Sequence, residues 1–342
     1  MSMLKRSLGG SINSNPLVAN IDITEQATDW LWAVFAVMLV SAIVIFALGH
    51  RRPVGERAFH ELGSALCFTA SIAYFAMASN LGATPVEVEY IRGGTLGQNW
   101  VDLGVANPTR SIWYARYIDW TITTPMLLLE LLLATGMPLS QIFMVIFMDI
   151  VMIETGLIGA LVPSRYKWGF FTGGCVALVV IWYYLFFPAR VSAARLGSDW
   201  HTSYTRSCIL LSVLWLVYPI IWGIADGGNV IKPTGEMIGY GVLDLLAKPV
   251  FSLIHILQIE RLDYARLGLS SSKVSDGAHQ GLLHEKGHHG AEMGTPRASM
   301  APSAAYGSHA ANVGAVGAGP GVTAGSNTAS AGDVPANRVE MA

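Results

Sequence analysis

The 342 residues are 52% hydrophobic and only 13% charged, with a mean hydropathy of +0.46. A soluble protein of this size carries about twice that charge fraction, so the composition excludes an ordinary soluble domain and points to a chain that crosses a membrane repeatedly. A formal net charge of -2 without a large basic cluster excludes a nucleic-acid surface. Three scattered cysteines, Cys67, Cys175 and Cys208, all in or beside apolar segments, exclude a disulfide framework or a zinc site.

At about 20 apolar residues per crossing, the chain predicts seven. The start, MSMLKRSLGGSINSNP, has basic residues but no apolar core behind them, so residues 1–27 read as a leader rather than a cleaved signal. The first crossing runs near Trp30–Leu48 and ends in the basic loop His50-Arg51-Arg52-Pro53. The second runs near Glu61–Leu81. The long polar connection from Gly82 to Arg110 follows, in which Val86-Glu87-Val88-Glu89-Tyr90 and Gly93-Gly94 predict a short hairpin. Crossings three to five cover about Ile112–Ala134, Leu139–Val162 and Tyr166–Phe187, punctuated by Gly136-Met137-Pro138 and Pro163-Ser164. The polar stretch PARVSAARLGSDWHTSYTR reads as a loop, and crossings six and seven cover about Ser207–Ala225 and Met237–Ile259. An Ala-, Gly- and Ser-rich tail from about residue 263 has no periodic apolar pattern and is expected to be disordered.

Seven crossings put the termini on opposite sides. Loops on the C-terminal side carry Arg51, Arg52, Arg57, Arg190, Arg195, Arg206, Arg261 and Arg266. The other side has Arg92, Arg110, Arg165, Lys167 and Lys232, with Lys5 and Arg6 in the leader. The bias predicts an outside N-terminus, an extracellular hairpin and a cytoplasmic tail.

The third crossing, RYIDWTITTPMLLLE, holds the most chemistry. At 100° per residue, Arg116, Asp119, Thr123 and Glu130 fall within an arc of roughly 60°, with Asp119 and Glu130 about 16 Å apart along the axis. Charges at this depth cost roughly 2.5–3.5 kcal/mol each to insert, so three on one face are more than helix-packing residues. The seventh crossing carries Asp244 and Lys248, four apart on one face. Such a pair is as often structural as functional; the aromatic residues Trp120, Trp215, Tyr218 and Trp222 separate the cases, because they supply a lining around a buried amine. Lysine forms Schiff bases with carbonyl compounds, and a protonated imine on Lys248 together with Arg116 would balance Asp119 and Asp244.

RYIDWTITTPMLLLE, DIVMIETGLIGAL, WLVYPIIWGIADGG and VLDLLAKP together resemble helices C, D, F and G of the microbial rhodopsins over about residues 28–262, and SRYKWGFF, ADGGNVIKP and the long tail are most similar to the fungal branch. The resemblance implies a seven-helix bundle in which Lys248 holds all-trans retinal as a protonated Schiff base. It implies Asp119 as proton acceptor, Asp244 as second counter-ion, and Glu130 as proton donor from the cytoplasmic side. Arg116 would gate the extracellular half, Thr123 would hydrogen-bond near the acceptor, and Tyr74 would pair with the counter-ions. Trp120, Thr124, Leu127, Met152, Gly156, Trp215, Tyr218, Pro219, Trp222 and Ala247 would form the pocket, with apolar Leu127 and Ala247 implying green absorption. Asp226 and Glu236 fall in the proton-release region, and Asp149 matches a buried helix D acid. Glu154 has no counterpart, and its angle from Met152 points it away from the pocket.

The function so implied is outward, light-driven proton pumping in the plasma membrane by a transporter rather than an enzyme. A slow sensory photoreceptor with the same pocket and a signalling partner is the alternative. A retinal-free chaperone-like role is disfavoured by Lys248, and chloride or sodium pumping by the Asp119, Thr123, Glu130 set. The resemblance also implies a dimer or trimer in lipid. In the tail, His284-Glu285-Lys286-Gly287-His288 fits H-E-x-x-H, but a glycine interrupts it and no apolar run flanks it, so no metal is expected.

Overall fold

Apolar side chains at intervals of three and four put Leu31, Val34, Met38, Ala42 and Ile45 on one buried face of α1 (Glu25–Gly49), while Val37, Val40, Ile43 and Phe46 stand exposed on the other. A helix apolar on both faces needs protein on one side and an apolar medium on the other. The same pattern recurs in α2 (Ala58–Ala78), α4 (Leu139–Leu161), α5 (Lys167–Leu196), α6 (Ser198–Gly227) and α7 (Pro233–Ile259); with α1 these are six helices, among the described residues, long and apolar enough to cross a membrane. The seventh member of the bundle is α3 (Tyr114–Leu133). Its length suffices, but it carries Arg116, Asp119 and Glu130, and all three of these side chains are buried.

A computed structural model of the protein describes residues 10–91 and 105–267. The Gly93-Gly94 turn, the tail from residue 268 and its His284–His288 motif lie outside them. The described residues fall within one unit, residues 1–289.

Between α2 and α3, β1 (Thr84–Glu87) pairs antiparallel with β2 (Thr109–Ile112), in the register Thr84 to Ile112 and Glu87 to Thr109. Ile21, ahead of α1, adds a parallel bridge to Arg110. The stretch 188–206, expected as a loop, is instead largely helical: α5 continues to Leu196, and only Gly197, at φ +133°, separates it from α6. Gly197 supplies a backbone conformation closed to other residues. The helices extend past the apolar zone because Trp200 and Tyr204 need a buried face, and the Tyr204 hydroxyl donates to the Leu185 carbonyl at 2.7 Å.

Proline accompanies two of three π-type departures from α geometry among the described residues. Pro249 lacks an N–H, and residues Leu246–Val250 around Lys248 widen into a π turn. Similar turns occur at Leu185–Ala189, around Pro188, and at Gly223–Gly227. Phe59, Leu66, Leu128, Leu131, Leu211 and Phe251 belong to one apolar cluster, an apolar plug that includes the chain neighbours of the buried Glu130.

Candidate functional site

The polar face of α3 meets the π turn of α7 in the middle of the bundle. Lys248 Nζ donates to Asp119 Oδ2 and lies 3.4 Å from Asp244 Oδ2, one helical turn earlier on α7. The two acids are held differently. Asp244 accepts from the Tyr74 hydroxyl of α2 at 2.7 Å, the Tyr218 hydroxyl of α6 at 2.7 Å and the Trp120 indole at 3.4 Å. Asp119 has one partnered oxygen, and its buried Oδ1 has none among the described residues. The Thr123 hydroxyl bonds the Asp119 carbonyl, not its carboxyl, at 2.8 Å.

Toward the hairpin lies a second charged layer. The expectation that Arg116 would balance Asp119 and Asp244 is corrected: its guanidinium pairs with Glu236, stacks on Tyr240 at 4.4 Å and places Nη2 2.9 Å from Met237 Sδ. Glu236 is simultaneously bound at 2.7 Å by Arg110, a β2 residue that also bonds the Asn229 side chain at 2.8 Å and the Ile231 carbonyl at 2.7 Å. Asn229 reaches that position from a left-handed backbone at φ +50°. Three cations, Lys248, Arg110 and Arg116, thus face three acids, Asp119, Asp244 and Glu236. Asp226 stands apart on the Tyr117 hydroxyl at 2.7 Å, and the buried Lys167 donates to its carbonyl at 3.2 Å. Asp226 and Glu236 are thus held by different hydrogen-bond partners, although the charges of Glu236, Arg110 and Arg116 all act on Asp226.

The Arg110–Glu236–Arg116 triad carries a stability prediction. Glu236→Gln leaves two buried guanidiniums without a counter-charge, a loss of about 3–5 kcal/mol for a broken buried pair. The thermal midpoint of the purified protein should fall well below that of an exposed control, Glu87→Gln; equal midpoints would refute the triad's role.

Away from the hairpin, Glu130 is buried, with Oε2 accepting from Ser252 at 2.8 Å and Oε1 unpartnered among the described residues. Asp149 accepts from Thr124 at 2.7 Å across the α3–α4 contact. Glu154, which the sequence left without a role, accepts from Thr121 at 3.0 Å, outside the cavity.

One set of side chains lines a partly open cavity, of the largely apolar kind that takes small ligands. Its wall takes Trp120, Thr124 and Leu127 from α3, Met152 and Gly156 from α4, Trp215, Tyr218, Pro219 and Trp222 from α6, and Ala247 and Lys248 from α7. Those are the ten residues singled out in sequence as a pocket, together with the lysine. Lys248 is the one amine on that wall. Trp120 packs edge-on to Tyr218 and Tyr240, with centroids 5.4 and 5.1 Å away. Phe171 stacks on Trp222 at 4.8 Å, and the Trp222 indole donates to the Gly156 carbonyl at 3.2 Å.

Sequence reasoning missed Tyr117, Tyr240 and Phe171 on this wall. Tyr240 was findable, since it precedes Asp244 by one turn on the same face. Phe171 was not, because α5 is apolar throughout and carries no facing signal. Arg110 was missed as well, having been counted as a loop charge.

The family model described as bacteriorhodopsin-like protein matches residues 25–261. The opsin-like protein carO of Fusarium fujikuroi is 46% identical over 271 residues, covering 78% of this chain and 86% of the relative. Among solved structures, the light-driven proton pump of Leptosphaeria maculans is 34% identical at a TM-score of 0.64, covering 72% of this chain and 100% of that one. The light-driven proton pump of Coccomyxa subellipsoidea is also 34% identical, at a TM-score of 0.63, covering 70% and 99%.

Proposed function

The chain belongs to the bacteriorhodopsin-like family of microbial (type 1) rhodopsins, on its fungal branch, and we propose that it is a light-driven pump moving protons outward across the plasma membrane. The observation that carries this reading is the order of groups along α3: Asp119 on the Lys248 amine, and Glu130 buried in the apolar plug on the far side. The cavity fits a long apolar aldehyde, being apolar, aromatic-walled and furnished with a single amine. Lys248 would hold all-trans retinal as a protonated Schiff base, and the bound group would supply light absorption and a light-driven change of shape.

The chain's own groups do the rest. Asp119 receives the proton, because its Oδ1 has no partner among the described residues while Asp244 is committed to Tyr74, Tyr218 and Trp120. Arg116 and the Arg110–Glu236 pair separate Asp119 from the hairpin side, so the proton leaves past a charged layer. Glu130 returns a proton to the lysine nitrogen from the opposite side, where Phe251, Leu128 and Leu131 exclude water. Directionality requires that nitrogen to face Asp119 when it loses the proton and Glu130 when it regains it.

The proposed orientation puts the hairpin outside and the C-terminus in the cytoplasm. Arg110 and Lys167 are buried structural charges. Removing them from the loop count leaves a stronger excess of arginine on the C-terminal side than the sequence alone suggested.

Illuminating expressing cells in unbuffered salt with retinal should acidify the medium, and a protonophore should abolish the signal. A visible absorption band without any pH change would sink the pump and leave the sensory photoreceptor as the reading.

A further inference from the structure

His255 is a fully buried titratable side chain that the pump described above does not use. It lies on α7, one turn beyond Ser252, and joins three helices at the end of the bundle away from the hairpin. Its Nε2 sits 3.2 Å from the Glu130 carbonyl of α3, and its Nδ1 sits 2.9 Å from the Ser207 hydroxyl of α6. Phe251 stacks parallel to the ring at 5.8 Å and Phe59 of α2 meets it edge-on at 6.1 Å.

These contacts fix the tautomer. A carbonyl oxygen only accepts, so Nε2 carries the hydrogen, and Nδ1 presents its lone pair to the Ser207 hydroxyl. The Glu130 carbonyl is among the last four of α3, which have no partner within the helix. A lone buried imidazole could serve merely as a cap for that carbonyl. Two further features say more. Ser252, from the same helix, donates to the Glu130 carboxyl, so α7 grips both the main chain and the side chain of this one residue. The ring's acceptor nitrogen also points away from the Glu130 carbonyl, to the Ser207 hydroxyl of α6.

We propose that His255 is the relay that reloads Glu130. Resting on the pump reading, the step begins when Glu130 has given its proton to the lysine nitrogen and stands as a carboxylate. The Ser207 hydroxyl passes a proton to Nδ1 and is itself replenished from the aqueous side, making the ring an imidazolium. The ring then gives that same proton to the Glu130 carboxylate as it turns between Ser207 and the carboxyl, and returns to its Nε2–H tautomer. One proton enters at Ser207 and one arrives at Glu130; no other group changes.

The test follows proton uptake after a flash, using a pH-indicator dye with purified protein in lipid vesicles, between about pH 6 and pH 8. In the wild type each proton enters from the aqueous side at Ser207 and crosses the ring to Glu130. In His255→Leu that path is cut, so uptake should slow by about 10²–10⁴, the loss of one positioned acid–base group, and added imidazole should restore speed. The visible band and the earlier transfer to Asp119 should be unchanged. Uptake at the wild-type rate, or slowing with no response to imidazole, would overturn the relay in favour of a cap. If His255→Leu fails to give pigment, Ser207→Ala decides: slower uptake supports the relay, and wild-type uptake overturns it. A wild-type protein with no dye signal overturns the pump itself, a result distinct from any difference between variants.

Discussion

Lys248→Ala should abolish covalent retinal uptake outright: no visible band on addition of retinal, and no chromophore retained on the denatured chain. Among the described residues the cavity wall holds no other amine, and Arg116, the one cation on α3, is stacked on Tyr240 and paired with Glu236. The effect is therefore all or none rather than a weakening. The substitution also leaves Asp119 and Asp244 facing one another without the cation between them, and breaking a buried pair of this kind costs about 3–5 kcal/mol. Lys248→Gln, which keeps a hydrogen-bond donor but no nucleophile, separates the two effects. It should fold more readily than the alanine variant while remaining colourless. A covalent pigment in either variant would refute the assignment of Lys248.

The middle of the site was legible in the sequence because it is made of rare things. Charged groups inside apolar helices are expensive, so Asp119, Glu130, Asp244 and Lys248 announce themselves, and a 3.6-residue period gives their faces. The hairpin-side layer was not legible. Arg110 lies in a polar connection, and nothing local distinguishes a loop arginine from one folded back onto Glu236; only the pairing of β1 with β2 and the turn at Asn229 bring it inward. The partner of Arg116 was misjudged for the same reason, since Asp119, the acid beside it on α3, is not the acid it pairs with in space. The α5–α6 connection was read as a loop because polarity was taken to end a helix, when it ends only the apolar zone.

Asp119→Asn and Glu130→Gln should fail in different ways, and the difference tests the direction of transport. Asparagine at 119 keeps the size of the side chain but cannot accept a proton, and Asp244 does not substitute, its oxygens being held by Tyr74, Tyr218 and Trp120. Light-driven acidification should therefore vanish, while Lys248 still takes up retinal and colours the protein. Glutamine at 130 leaves the first transfer intact and removes only the return. Loss of one positioned acid–base group costs about 10²–10⁴ in rate, so pigment recovery after a flash should slow by that order without being abolished. Because the defect is delivery through the apolar plug around Ser252 and Phe251, a small diffusible acid such as azide should relieve it for Glu130→Gln, and should do nothing for the transport lost in Asp119→Asn. If azide restored acidification to the Asp119 variant, or if Glu130→Gln recovered at the wild-type rate, the assignment of acceptor and donor to the two ends of α3 would be wrong.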